Sequence, residues 1–313
     1  MLRYAGKKIL SAIPVLLGIS MLAFVLGLLS PGDPAEFVLS QNGLTTPTEA
    51  ELVAMREELG LNVPAYIRYW NWFLGLVQGN LGESYVTGRN IGSEIMLRLP
   101  LTLTLAIFSL VLTVCIGLTT GVVCAEKEGS KVDGFVKSLT NIMLSVPGFW
   151  LALVLILVFC EKLRVLPTSG SDGFVNFILP SIVLSFATMG TICRFMRGAM
   201  LEEFSKQYYL VAKVRGLAKS KLLFAYALPN ALIPVIALLG NYFAGVLGGS
   251  AIVESIFAIP GMGSMALEAI RMRDYPVLQA YVLVSGWILV LVTLGVDLLI
   301  AYLNPKIRFG ERL

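Results

Sequence analysis

Five basic side chains, Lys206, Lys213, Arg215, Lys219 and Lys221, fall within sixteen residues that contain no acid. Two chemistries fit such a run. One is a docking surface on the cytoplasmic side of a membrane. The other is an ordinary positive-inside loop, and spacing alone leaves both open. Ala212 and Gly216 lie four apart, so on a helix they would share one face. That face would be smooth and small, letting another backbone come close. Leu228-Pro229 marks entry into the next apolar run, because proline suits a helix's first turn. Elsewhere reactive chemistry is scarce. The chain has no histidine, which removes imidazole acid–base catalysis, H-E-x-x-H metal sites and the Ser-His nucleophile pair. Cys115, Cys124, Cys160 and Cys193 form no C-x-x-C pair and sit in or beside apolar runs, as small packing residues do. Asp297 is the clearest ionisable residue at membrane depth. An ion pair with Arg194 or Arg197 is its expected role, ahead of transport. There is no G-x-x-x-x-G-K-[ST] loop, so energy from ATP by that route would have to come from a partner.

The elements that position these residues follow from composition. Of 313 residues, 57% are hydrophobic and 14% charged, against roughly 25% charged in soluble domains. Several apolar runs approach the ~20 residues that cross a bilayer. An all-α polytopic membrane protein with six transmembrane helices is expected, at residues 9–29, 101–125, 138–159, 174–193, 231–253 and 276–302. The net charge of +4 is modest, and no nucleic-acid partner is expected; membrane lipid is. The first apolar run is long and has no small-residue cleavage site after it, so it reads as a retained span. Residues 30–99 form the longest polar segment, opening on the turn signal Ser-Pro-Gly-Asp-Pro. Within it, Thr48 is a candidate cap for a surface helix over 49–59 that stops at Gly60. Tyr66, Tyr69, Trp70, Trp72 and Phe73 suit either an amphipathic helix at the membrane interface or a small core packed on the bundle. Pro147-Gly148 predicts a break in the third span, and Pro260-Gly261 centres a hairpin-like segment over 254–275.

Orientation follows from charge. With both termini inside, the inner segments hold Arg3, Lys7, Lys8, Lys127, Lys131, Lys137, Arg194, Arg197, the five basic residues above, Lys306, Arg308 and Arg312. These are 16 of the 24 Lys and Arg, leaving 8 outside. That two-to-one bias supports cytoplasmic N- and C-termini. The pairs Gly117/Gly121 and Gly245/Gly249 permit close helix contact, by default within the bundle. No polar cluster could hold a small solute tightly at the midplane. A weak, small-residue path along the fifth span is expected near Asn241, Gly245, Gly248 and Gly249, facing Pro147. Helix packing alone would equally explain these glycines.

The basic island also resembles the cytoplasmic coupling motif of ABC-importer permeases, E-A-A-x3-G-x9-I-x-L-P. Ala212 and Gly216 match the second alanine and the glycine; Tyr226 stands at the isoleucine position, and Leu228-Pro229 match the end. Leu210 and Val211 replace the leading glutamate and alanine, a departure common in the peptide/nickel branch. That branch is resembled along nearly the whole chain: SPGDP (30–34), LGLNVPAYIRYWNWF (59–73), GNLGESYVTGRNI (79–91), SVPGFWLAL (145–153), VLPTSG (165–170), LPNALIPVI (228–236), ESIFAIPGMG (254–263), RDYPVLQA (273–280) and NPKIR (304–308). The likeness is to the B-type permease, the first of two related subunits.

The resemblance implies a type I ABC-importer permease core in a bacterial or archaeal cytoplasmic membrane. Residues 1–29 would be the cytoplasmic segment and first span, 30–99 an extracytoplasmic loop, 100–305 the core with its coupling loop at 206–229, and 306–313 a cytoplasmic tail. It implies as partners a second homologous permease subunit, two cytoplasmic ATPase subunits and an extracytoplasmic substrate-binding protein. ATP and Mg would be on the ATPases, with no cofactor or metal on this chain. Ala212, Lys213, Arg215, Gly216, Leu217, Leu228 and Pro229 would couple to the ATPase. Substrate would be small peptides or nickel, bare or chelated. The outer loop looks somewhat closer to the nickel type, while the lack of histidine argues against a bare nickel site. A self-sufficient secondary carrier is the alternative; an intramembrane enzyme lacks a catalytic constellation.

Overall fold

The computed structural model describes residues 2–29, 33–41 and 47–303. Five helices are long and apolar enough to cross a membrane: Lys8–Leu29, Ile91–Glu126, Phe174–Ser205, Lys219–Gly248 and Tyr275–Leu303. A bent pair, Lys131–Ser145 and Gly148–Lys162, meets at 99° and makes a sixth span if counted as one. The break falls at Val146-Pro147, where proline cannot donate to the helix ladder. Among the described residues there is no strand, only an isolated bridge between Glu83 and Asn90.

In chain order the helices are α1 (Leu2–Leu29), α2 (Pro34–Gln41), α3 (Glu49–Glu58), α4 (Ala65–Val77), α5 (Ile91–Leu112), α6 (Thr119–Glu126), α7 (Lys131–Ser145), α8 (Gly148–Leu155), α9 (Ile178–Ser205), α10 (Gln207–Val214), α11 (Lys219–Lys221), α12 (Leu228–Gly249), α13 (Ala251–Ile256), α14 (Met262–Arg271) and α15 (Tyr275–Leu303). A wide π-helical turn, Thr113–Leu118, joins α5 to α6, and another, Leu222–Ala227, joins α11 to α12.

Local chemistry sets several boundaries. Thr48 caps α3 in a capping box, with its backbone N–H donating to Glu51 Oε2 at 2.8 Å. That bond and the Thr48 hydroxyl hold the Glu51 carboxyl below the usual range. Gly60 then takes a φ of +63°, which closes the helix. Aromatic α4 lies along α1: Tyr69 and Phe24 rings meet edge-on at 5.3 Å, and the Tyr69 hydroxyl is 3.0 Å from Ser20 Oγ. Tyr66 and Trp70 stay exposed on its far side.

Helix α9 is the hub, packing on α5, α6, α7, α8 and α12. Two buried clusters surround it. Leu105, Ala152, Phe177, Val183 and Phe257 fill one end; Ile192, Met196, Met200, Leu223, Ala227 and Val235 fill the other. Gly117 and Gly121 let the second span approach α9 closely. A Cβ at Gly121 would sit 2.7 Å from the Cys193 carbonyl oxygen. This glycine pair serves packing inside the bundle, as expected.

Three spans outrun their expected ends. The second begins at Ile91, the fourth continues to Ser205, and the fifth begins at Lys219. Hydropathy marks where the bilayer ends, whereas a helix continues past it wherever its polar residues are good helix formers. The fifth span starts inside the basic island because the π turn before Pro229 absorbs the missing backbone donor. Its long helix ends at Gly249, and the rest of the expected span, to residue 253, lies in α13 after a turn at Ser250.

Candidate functional site: the elbow between the fourth and fifth spans

Residues 206–229 form an elbow. It holds α10, a glycine turn, and the first turns of the fifth span. Helix α10 packs on α9 and on the Leu222–Ala227 turn. Ala212 is buried there, so its small side chain admits this protein's own backbone rather than a partner's. Gly216 does not share a helix face with it. The helix ends at Val214, and Gly216 has a φ of +78°. Its N–H reaches Lys213 O at 3.0 Å, and Leu217 N–H reaches Ala212 O at 3.4 Å. The expected shared face is thus corrected to a left-handed helix stop, where an L side chain costs about 1–2 kcal/mol.

A clasp fixes the elbow to the bundle. Glu203, at the end of α9, is buried. It accepts from Lys206 Nζ at 2.6 Å and from the Tyr208 hydroxyl. Asn230 Nδ2, on α12, donates to the Tyr226 carbonyl at 2.8 Å and to Tyr208 Oη at 3.3 Å. The Glu203 hydrogen bond raises the Lys206 ammonium above its usual range. Lys219 meets Glu126, at the end of α6, at 2.8 Å. Leu228 and Pro229 lie in the first turn of α12, with Pro229 exposed.

What the elbow presents outward is apolar and basic. Val214 is 88% exposed, and Leu210 and Val211 are about half exposed. Lys213, Arg215 and Gly216 are exposed beside them, with Leu217 half-buried. Sequence reasoning missed Val214, a valine between two cations whose exposure depends on where α10 stops.

Two other expectations resolve differently. Asp297 pairs with Lys8 Nζ at 2.6 Å, joining the last span to the first. Neither Arg194 nor Arg197 reaches it. Arg197 instead grips buried Asp133 through Nε at 2.8 Å and Nη2 at 3.0 Å, with Lys137 on the same carboxylate at 2.8 Å. That cluster ties α7 to α9. Arg194 is exposed.

The expected path residues share a face. Asn241, Gly245 and Gly248 are spaced at helical turns on α12 and all are exposed. A Cβ at Gly245 or Gly248 would meet nothing within 4 Å, so neither glycine serves packing within this subunit. Gly240 does, since a Cβ there would strike Val296 at 2.4 Å. Gly249 ends the helix. Pro147 is exposed at the break of the third span, while α12 packs mainly on α15, α9 and α5.

Known proteins share this plan. The profile described as "Binding-protein-dependent transport system inner membrane component" matches residues 117–309, and that described as "Binding-prot-dependent transport system membrane comp, N-term" matches residues 1–106. The glutathione transport system permease protein GsiC of Escherichia coli O6:H1 (strain CFT073) is 36% identical over 310 residues, 99% of this chain and 100% of its own. The GsiC of Salmonella typhimurium (strain LT2) is 35% identical over the same coverage. Among solved structures, the MetNI methionine ABC transporter in an inward-facing form aligns with a TM-score of 0.57 at 18% identity. That match covers 67% of this chain and 96% of its own, and carries the fold alone. The chain belongs to the binding-protein-dependent transport system inner membrane component family, as an ABC-importer permease of the peptide/nickel branch.

Proposed function

We propose that this permease carries small peptides, of the thiol tripeptide class that includes glutathione, inward through a path shared with a second homologous permease. Two cytoplasmic ATPases would drive it, with ATP and Mg held on them, and an extracytoplasmic binding protein would deliver substrate. The observation that carries the substrate reading is 35% to 36% identity along the full length of permeases named for glutathione. The absence of histidine agrees with it, because imidazole is a favoured nickel ligand. The elbow, with Ala212 and Gly216 shaping it and Lys213, Arg215, Leu217, Leu228 and Pro229 around it, would seat in an ATPase groove. Val214, 88% exposed in this subunit, would be covered there. Both termini would be cytoplasmic, residues 30–99 extracytoplasmic, 100–305 the permease core and 306–313 an inner tail. NPKIR and that tail lie outside the described residues.

Uptake by the whole complex tests the substrate. Labelled glutathione, a labelled dipeptide and labelled nickel, the last with and without chelator, are compared at equal concentration. Glutathione should enter and be competed by peptide. Nickel uptake that neither peptide reduces would assign this chain to metal.

A further inference from the structure

The outer hairpin that follows α12 is held by a buried carboxylate. Glu254, on α13, is 0% exposed. Its Oε1 accepts from Thr102 Oγ1 at 2.9 Å and from Ser250 Oγ at 2.6 Å. Its Oε2 accepts from Ser264 N–H at 2.8 Å. Thr102 Oγ1, from the second span, also accepts from Met262 N–H at 2.9 Å. Met262 and Ser264 lie in the first turn of α14, whose own cap residue, Gly261, has no side chain to offer. The start of α14 is therefore closed by two side chains from other elements. Gly261 is needed for this, since a Cβ would lie 2.5 Å from the Glu254 carboxyl and 2.6 Å from Thr102 Oγ1.

The far end of α14 is tied too. Asp274, just past it, accepts from Ser84 Oγ at 2.5 Å and from Tyr85 N–H at 3.2 Å, both in the outer loop. Burial pushes the Asp274 carboxyl up, against these donors. So α14 is strung between the second span and the outer loop. Between α13 and α14 the turn is strained: Ala258 has a φ of +50° and is exposed beside Pro260. Non-glycine residues stay left-handed only where the surroundings enforce it, and such sites gather at moving parts. This hairpin begins where the open face of α12 ends, at Gly248 and Ser250. The Tyr281 hydroxyl, from the last span, donates to the Gly248 carbonyl at 2.7 Å.

We propose that Thr102 and Glu254 are positioning residues for substrate entry, a latch that makes the α13–α14 hairpin move with the second span at the outer mouth of the path. The second span continues inward to Glu126, beside Lys219 of the elbow. A shift of that span at the elbow would then carry the hairpin with it. The latch rests on the reading of the α12 face as the path only for where the mouth lies.

Thr102→Val keeps the shape and removes both bonds of the hydroxyl; Thr102→Ser keeps them. Each goes into the whole complex in proteoliposomes with loaded binding protein. The valine variant should lose at least tenfold in maximal uptake and most of the binding-protein stimulation of ATPase activity. Its basal ATPase, complex yield and half-saturating binding-protein concentration should stay within twofold. The serine variant should match the parent. Full uptake by Thr102→Val overturns the proposal, as does a loss that serine does not restore. If the valine complex does not assemble, Glu254→Gln decides: reduced maximal uptake at normal yield supports the latch, and parental uptake overturns it. A neutral Gly248→Leu beside a defective Thr102→Val would keep the latch and move the path elsewhere.

Discussion

Val214→Asp should abolish ATP-driven uptake while leaving this subunit folded and in the membrane. Val214 is 88% exposed, so the bundle loses nothing when it changes. In the assembled importer it would be buried against the ATPase, and taking a carboxylate out of water there costs several kcal/mol. A loss of about 3 kcal/mol weakens docking by more than a hundredfold. The measurement is ATPase retained on the purified permease pair, read beside uptake. Gly216 separates turn from surface. Gly216→Asn should be mild, because asparagine tolerates the left-handed region. Gly216→Val should be severe, because a β-branched residue does not. Equal effects from both would mean that the φ of +78° is not what matters. A disulfide or cross-linker from Val214→Cys to the ATPase also fixes the side of the membrane. Labelling of that cysteine by an impermeant reagent from outside the cell would reverse the orientation.

Gly248→Leu should lower uptake tenfold or more with normal complex yield and normal ATPase docking. A leucine at this position meets no atom within 4 Å of its Cβ in this subunit. The Tyr281 contact is to the backbone carbonyl and survives the change. With complex yield normal, a loss of uptake would come from what passes along the face or from the second permease. Loss of the permease pair would assign the face to subunit contact. Full uptake would place the path elsewhere. Gly240→Leu is the contrast: it would drive into Val296 and should lower yield of the folded subunit.

What was legible in the sequence was local. Thr48, with acids in the turn after it, specified a capped helix start, and Pro147-Gly148 specified the break in the third span. The basic island stood out because a run of five cations is unusual beside membrane spans, whereas the fifth span's glycines did not, because glycine is common in such helices. What could not be read depended on distance or on helix ends. Glu254 opens a stretch marked by its family likeness and its Pro-Gly turn, but nothing local points to its partner Thr102, 152 residues away. Asp297 finds Lys8 from the other end of the chain, while Arg197 is taken by Asp133. The shared face of Ala212 and Gly216 failed because α10 stops two residues before the glycine. Spacing assigns a common face only inside a continuous helix, and the stop is made by Gly216 itself.

This permease should work only as part of an ATP-driven importer. The direct measurement is uptake of labelled glutathione into proteoliposomes holding both permeases and both ATPases, with binding protein and substrate outside and ATP inside. Uptake should require ATP and binding protein together and should be unchanged when proton and sodium gradients are collapsed. Uptake without ATP, driven by a proton or sodium gradient, by this chain without ATPases, would contradict it and identify a self-sufficient carrier.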